Sequence, residues 1–246
     1  MAPDLSRIAA IAFDLDGTLV DSAPDIGHAL NTALADAGLQ CFDLTTVRTW
    51  IGDGPDALIS RALSAQEVSP GDIALRQRLR RGFDEATLAA PLDNGHVYPG
   101  IADLLRSLQD SLPLAVVTNK PTRLAQAVVE AAGLLPSLMH VQGADTLAQR
   151  KPAPAMLLST AARFGVDPSR MLMVGDAPPD MLAAQAAGCL AALVGWGYGA
   201  HAVPPELQRW RVETPQELGR SFLAGDSMSP STTVSIDRGP HHAHRR

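Results

Sequence analysis

The chain has 246 residues, enough for one large domain or for a domain with an inserted module. Hydrophobic residues make up 46%, ample for a packed core, and a net charge of −6 argues against a nucleic-acid footprint. No apolar stretch of about 18 residues occurs, nor a basic segment leading into an apolar one, so neither a membrane span nor a signal peptide is expected.

Two cysteines, Cys41 and Cys189, stand far apart without a metal-ligand spacing. They predict buried reduced thiols and a cytoplasmic protein. Lysine occurs twice, at Lys120 and Lys151; arginine supplies every other fixed cationic side chain. Positions that keep lysine in such a chain point to a need for a compact ammonium.

The first element is the apolar run Ile8 to Phe13, which ends in Asp14-Leu15-Asp16-Gly17-Thr18. Short apolar runs bounded by turn residues predict a buried strand of a parallel sheet. Residues two apart share a face, so Asp14 and Asp16 point one way while Leu15 packs the other. Gly17 permits a tight turn or the close approach of a ligand. Taken alone, the same five residues also read as an acidic turn.

Helical spacing follows from Ser22 to Gly38, with Ser22 as N-cap and Gly38 as stop. Further helices are predicted over Asp43 to Trp50, Pro55 to Leu63 and Pro70 to Leu88, giving a helical insert over 21–92. From Tyr98-Pro99-Gly100 onward strands and helices alternate. Strands are predicted at Leu114 to Val117, Leu138 to Val141, Met171 to Val174 and Leu190 to Val194, with a short one around Val212. The helices fall at Ile101 to Leu108, Arg123 to Ala132, Pro154 to Phe164, Asp180 to Ala187 and Pro215 to Leu223. Such alternation predicts a Rossmann-like parallel α/β sheet, built from 1–20 and 93–224. The tail over 225–246, rich in Ser, Thr, Pro and His, is expected to be disordered, and His241, His242 and His244 in it are not expected to form a functional metal site.

Chemistry-bearing residues recur at the carboxyl ends of the predicted strands. Thr118 and Asn119 follow one, Asp176 follows another with Asp180 in the next helix's first turn, and Lys151-Pro152 precedes a helix. Singly, each has an ordinary reading: a turn before Pro121, a surface charge, a partner of a helix dipole. Together they place carboxylates, a hydroxyl, an amide and an ammonium at one edge of one sheet. An oxygen-only donor set without Cys or His suits Mg²⁺ rather than zinc.

The four segments FDLDGT, VVTN, KP and GDAPPD, in that order, resemble the four motifs of the haloacid dehalogenase superfamily over residues 8 to 225. DGTLVDSAPD, VTNKPT and AAQAAGC resemble its bacterial phosphoglycolate phosphatase group. The resemblance implies a Mg²⁺-dependent phosphatase, a helical cap over 21–92, and an aspartyl-phosphate intermediate. By similarity Asp14 is the nucleophile and Asp16 the general acid and base, its carbonyl also binding the metal. Thr118 and Lys151 hold the phosphoryl group, Asp14 and Asp176 bind Mg²⁺, and Asp180 orients Lys151 or metal-bound water. Where that group carries a small polar residue after the first aspartate of motif four, this chain has Ala177, Pro178 and Pro179.

The resemblance implies further substrate contacts at Thr18 and Asn119 and at a specificity loop, Gly52-Asp53-Gly54. That loop also reads as a plain inter-helix turn. Arg48 and Arg61 flank it as candidate partners of a substrate carboxylate, whereas Arg76, Arg78, Arg80 and Arg81 read as an exposed helix face. The expected partner is a small phosphorylated metabolite, 2-phosphoglycolate first, with no nucleic acid and no membrane, acting on a monomer or homodimer. The alternatives are a sugar-phosphate phosphatase, a β-phosphoglucomutase-like mutase, or a binding module that kept the fold.

Overall fold

The computed structural model describes residues 4–226. The chain opens with β1 (Ala10–Phe13), passes a two-residue strand, β2 (Val20–Asp21), and enters four helices. These are α1 (Ala23–Asp36), α2 (Leu44–Arg48), α3 (Pro55–Ser64) and α4 (Ile73–Ala89). A second short strand, β3 (His96–Val97), leads back to α5 (Ile101–Leu108) and β4 (Leu114–Thr118). Then come α6 (Thr122–Ala131), β5 (His140–Gly143), α7 (Ala155–Phe164) and β6 (Met171–Gly175). The described chain closes with α8 (Pro178–Ala187), β7 (Leu190–Val194), β8 (Arg211–Val212) and α9 (Pro215–Asp226). The tail expected from Gly225 continues α9 for two residues; the rest, with its three histidines, lies outside the described residues.

Six strands pair in the order β5-β4-β1-β6-β7-β8, every pair parallel. Their alternation builds two unlike faces. Ile11, Phe13, Leu114, Val116, Leu172 and Val174 pack on the side of α5, α6 and α9. Ala10, Ala12, Met171 and Met173 pack on the side of α7 and α8, where the alanines leave room for close helices. β1 is central because both of its edges are paired. The chain leaves it on one side for β4 and β5, then crosses back to β6. Ligands of open α/β sheets bind at such a switch point, outside the carboxyl ends of the strands.

The helical insert has its own apolar cluster, in which Leu30, Leu34, Ile59, Leu63, Leu79 and Phe83 are buried with Leu124 of α6. Asp43 and Asp72 cap α2 and α4, accepting the backbone N–H groups of Thr46 and Leu75. Ser22 precedes α1 as expected but makes no capping bond, because its hydroxyl donates to Asp16 instead. Cys189 is half-buried and Cys41 is exposed, so the expectation of two buried thiols fails for Cys41 and is met only in part by Cys189. It sits in the connection after α1, with Sγ toward the Asn31 carbonyl. No helix among the described residues is long and apolar enough to cross a membrane.

The two chain segments joining insert and sheet are tied together, a feature the periodicity did not predict. β2 and β3 pair antiparallel, Val20 with Val97 and Asp21 with His96. Buried Asp25 accepts the N–H groups of Asn94 and Gly95, each at 2.8 Å. Asp25→Ala leaves two inward donors unmatched and should cost about 1–3 kcal/mol. An unchanged urea midpoint would show that this clasp contributes nothing.

Candidate active site

β1 ends at Phe13, so the two aspartates stand beyond the strand, yet its alternation persists. Asp14 and Asp16 line a cleft between sheet and insert while Leu15 is fully buried. Gly17 turns the chain at φ +88, and a Cβ there would lie 2.6 Å from Asp176 Oδ2. That contact brings the loop after β1 against the loop after β6.

Lys151 is the electrostatic centre. Its ammonium donates to Asp180 Oδ1 at 2.6 Å and to the Val117 carbonyl at 2.8 Å, and lies 2.8 Å from Asp14 Oδ1. That ammonium is in direct charge contact with the buried Asp14 carboxylate. Burial disfavours the ammonium, but Asp14 and Asp180 outweigh it and the pKa of Lys151 is raised. Asp180 also accepts the Ala177 N–H at 3.0 Å. Pro178 and Pro179 occupy the first turn of α8, where no N–H is needed; the helix therefore begins two residues before the predicted Asp180.

Asp176 Oδ2 accepts the N–H groups of Tyr198 and Gly199 at 2.7 and 3.0 Å, and its Oδ1 accepts the Thr18 hydroxyl at 3.2 Å. Thr18 is therefore fully buried behind a carboxylate, and the expected substrate contact becomes a positioning one. Asn119 is likewise committed. Its amide donates to the Gly52 and Lys151 carbonyls and accepts the Lys151 N–H, fastening the insert's loop and the Lys151 loop to the sheet. Thr118 Oγ1 accepts the Lys120 N–H at 3.2 Å, which leaves its own proton to donate.

Asp14, Asp176 and Asp180 each offer an oxygen, all within 4.8 Å of one another. Burial, with the neighbouring carboxylates, pushes Asp176 up to about 7 and Asp14, despite Lys151, up to about 6. An oxygen-only cluster of three buried carboxylates, two of them held above their ordinary pKa by burial and mutual repulsion, suits a hard divalent cation. Asp176 has a folded value of about 7 against an ordinary 3.8, so without a cation the folded state holds a proton that the unfolded chain releases. Stability of the ion-free protein falls as pH rises through that window, by up to a few kcal/mol. A saturating divalent cation should therefore raise the melting temperature more at about pH 8 than at about pH 5. An equal or larger rise at the lower pH would contradict this.

The insert sits closed over the sheet. Its wall of the cleft is apolar, made of Ile26, Ile51, Pro55, Leu58 and Phe83, with Gly52 and Gly54 at the rim. A Cβ on Gly54 would lie 2.8 Å from the Asn119 carbonyl, so loop meets loop without side chains between. The cleft encloses a cavity of about 40 Å³, room for a few waters. Asp53 does not line this cleft; it pairs with Arg61 and is 43% exposed. The arginines expected to meet substrate are elsewhere too. Arg61 also donates to the Trp50 carbonyl, and Arg48 pairs with Asp21 at 2.9 Å over the Tyr198 ring. Arg80, expected on an exposed face, is half-buried between Asp56 and Asp84, and Arg150 reaches the same Asp56 from the sheet side.

Lys120 is the site residue that pattern reading left without a role. It is buried, its ammonium 2.7 and 2.9 Å from the two Asp16 oxygens. The available signal was its rarity, since both lysines of the chain end in buried ion pairs with carboxylates.

The model of the haloacid dehalogenase-like hydrolases matches residues 8–188. A phosphoglycolate phosphatase of Chromobacterium violaceum is 41% identical over 198 residues, covering 79% of this chain and 88% of that protein. One from Rhodospirillum rubrum is 41% identical over 199 residues, covering 79% and 82%. Among solved structures, a predicted phosphoglycolate phosphatase from Haemophilus somnus superposes with a TM-score of 0.79 at 31% identity, covering 87% of this chain and 98% of that one.

Proposed function

The chain belongs to the haloacid dehalogenase-like hydrolases, as a phosphoric monoester hydrolase of the phosphoglycolate phosphatase-like group, and from this we propose how its site works. It hydrolyses a small phosphorylated metabolite, foremost 2-phosphoglycolate, through an aspartyl-phosphate on Asp14. The observation that carries this reading is the buried Asp14 carboxylate, lining the cleft and in charge contact with a lysine anchored from behind by Asp180.

In the first half-reaction an Asp14 oxygen attacks phosphorus, the ester oxygen departs, and Asp16 gives it a proton. In the second, Asp16 takes a proton from water, whose oxygen attacks the acyl-phosphate; inorganic phosphate leaves and Asp14 is regenerated. Bringing a carboxylate onto a phosphate dianion costs about 4 kcal/mol per unit pair near 4 Å at an effective dielectric of 20. Lys151 offsets part of that, and Thr118 donates its free proton to a phosphoryl oxygen. Asp14, the Asp16 carbonyl and Asp176 would hold Mg²⁺, which when bound supplies further positive charge at the phosphoryl oxygens.

The apolar insert wall supports a small substrate over a sugar phosphate, because it offers hydroxyls no hydrogen-bonding side chain. Phosphate release from a panel of small phosphoesters, with and without Mg²⁺, tests the assignment. Mg²⁺-dependent release fastest from 2-phosphoglycolate is expected; faster release from hexose phosphates, or none from any ester, would overturn it.

A further inference from the structure

We propose that Lys120 is the specificity-determining cation of the cleft, and that its ammonium pairs with a carboxylate carried by the leaving group of the substrate. This rests on the phosphatase reading above and adds to it a named discriminating contact.

Among the described residues lining the cleft, Lys120 is the sole cation. Lys151 lies deeper, with its donors directed at Asp14, Asp180 and the Val117 carbonyl. The amide of Asn119 is spent on backbone groups, and Arg48 and Arg61 are paired outside the cleft. The opposite wall is apolar. Whatever hangs from the ester oxygen therefore meets one charged donor.

That donor is also in the right place. Lys120 Nζ is within 2.9 Å of both Asp16 oxygens. A proton donor must come within about 3 Å of the leaving oxygen, so the ammonium falls within roughly 6 Å of that atom. In 2-phosphoglycolate the carboxylate carbon is two bonds from the ester oxygen, inside this reach. An ammonium has three donors, so it can hold Asp16 and the substrate carboxylate together. Without it, a substrate carboxylate entering the cleft would face Asp14 and Asp16 with no cation among the lining residues. Burial of Lys120 makes the contact charge-assisted and poorly screened.

The test compares 2-phosphoglycolate with ethyl phosphate, which puts a methyl where the carboxylate stands, on the full chain and on Lys120→Met. Both rates should fall in the variant, because Asp16 loses its partner. The preference for 2-phosphoglycolate should shrink by a further 10- to 100-fold or so, mostly through KM. If the melting temperature shows that the methionine variant does not fold, Lys120→Gln, which keeps a hydrogen bond to Asp16, should show the same loss of preference. An equal fall on both esters would reduce Lys120 to a support for Asp16 and overturn the inference while leaving the phosphatase reading intact. A wild-type chain that hydrolyses both esters alike would overturn it too. Failure to release phosphate from either ester would instead strike at the phosphatase reading, and the inference would fall with it.

Discussion

Asp14→Asn is expected to stop phosphate release, lowering turnover by at least about 10⁴-fold, the scale of loss when a nucleophile is removed. An amide matches the carboxylate in shape, so the cleft should remain formed. It is a poor nucleophile, and the acyl-phosphate cannot form on it. Lys151 keeps Asp180 and the Val117 carbonyl as partners, so the ammonium is not stranded. The variant should therefore fold and still bind 2-phosphoglycolate, measured by calorimetry. Residual turnover within tenfold or so of the wild type would show that another group attacks phosphorus.

Lys151→Met should do damage of a different kind. Its ammonium is buried between Asp14 and Asp180, and the raised pKa reflects how strongly those carboxylates hold the charged form. Removing one partner of a buried charge cluster leaves the others uncompensated, a loss of about 3–5 kcal/mol. Activity should fall as well, because nothing then offsets repulsion between Asp14 and the phosphoryl group. Denaturant unfolding separates the two effects. A variant as stable as the wild type would mean that the carboxylate cluster sheds its charge in another way. Adding Asp180→Asn to Lys151→Met should recover part of the lost stability, since one of the stranded carboxylates is then neutral.

Much of this site was legible because its residues sit at strand ends, where a change from apolar runs to polar turns marks position sharply. Asp14, Thr118 and Asp176 follow directly from Phe13, Val117 and Gly175, and the sheet order brings those three ends side by side. What the pattern could not carry were pairings between distant segments. The β2–β3 clasp uses two residues per strand, too few for any period to appear. Thr18 looked like a ligand contact by its place in the motif, but the fold turns its hydroxyl onto Asp176, over a hundred residues away. Arg48 and Arg61 were expected near substrate from their place beside the glycine loop; Asp21 and Asp53 claim them instead. Lys120 shows the converse, since neither the short bend between β4 and α6 in which it sits nor its spacing announces a partner 104 positions earlier in the chain.

The most direct measurement is a rapid acid quench during turnover of 2-phosphoglycolate with Mg²⁺, followed by mass spectrometry of the peptide that contains Asp14. A hydroxylamine-sensitive phosphoryl adduct on Asp14, absent from Asp14→Asn, is the expected result. Full turnover with no adduct at any quench time, or an adduct on a different side chain, would contradict covalent catalysis at Asp14.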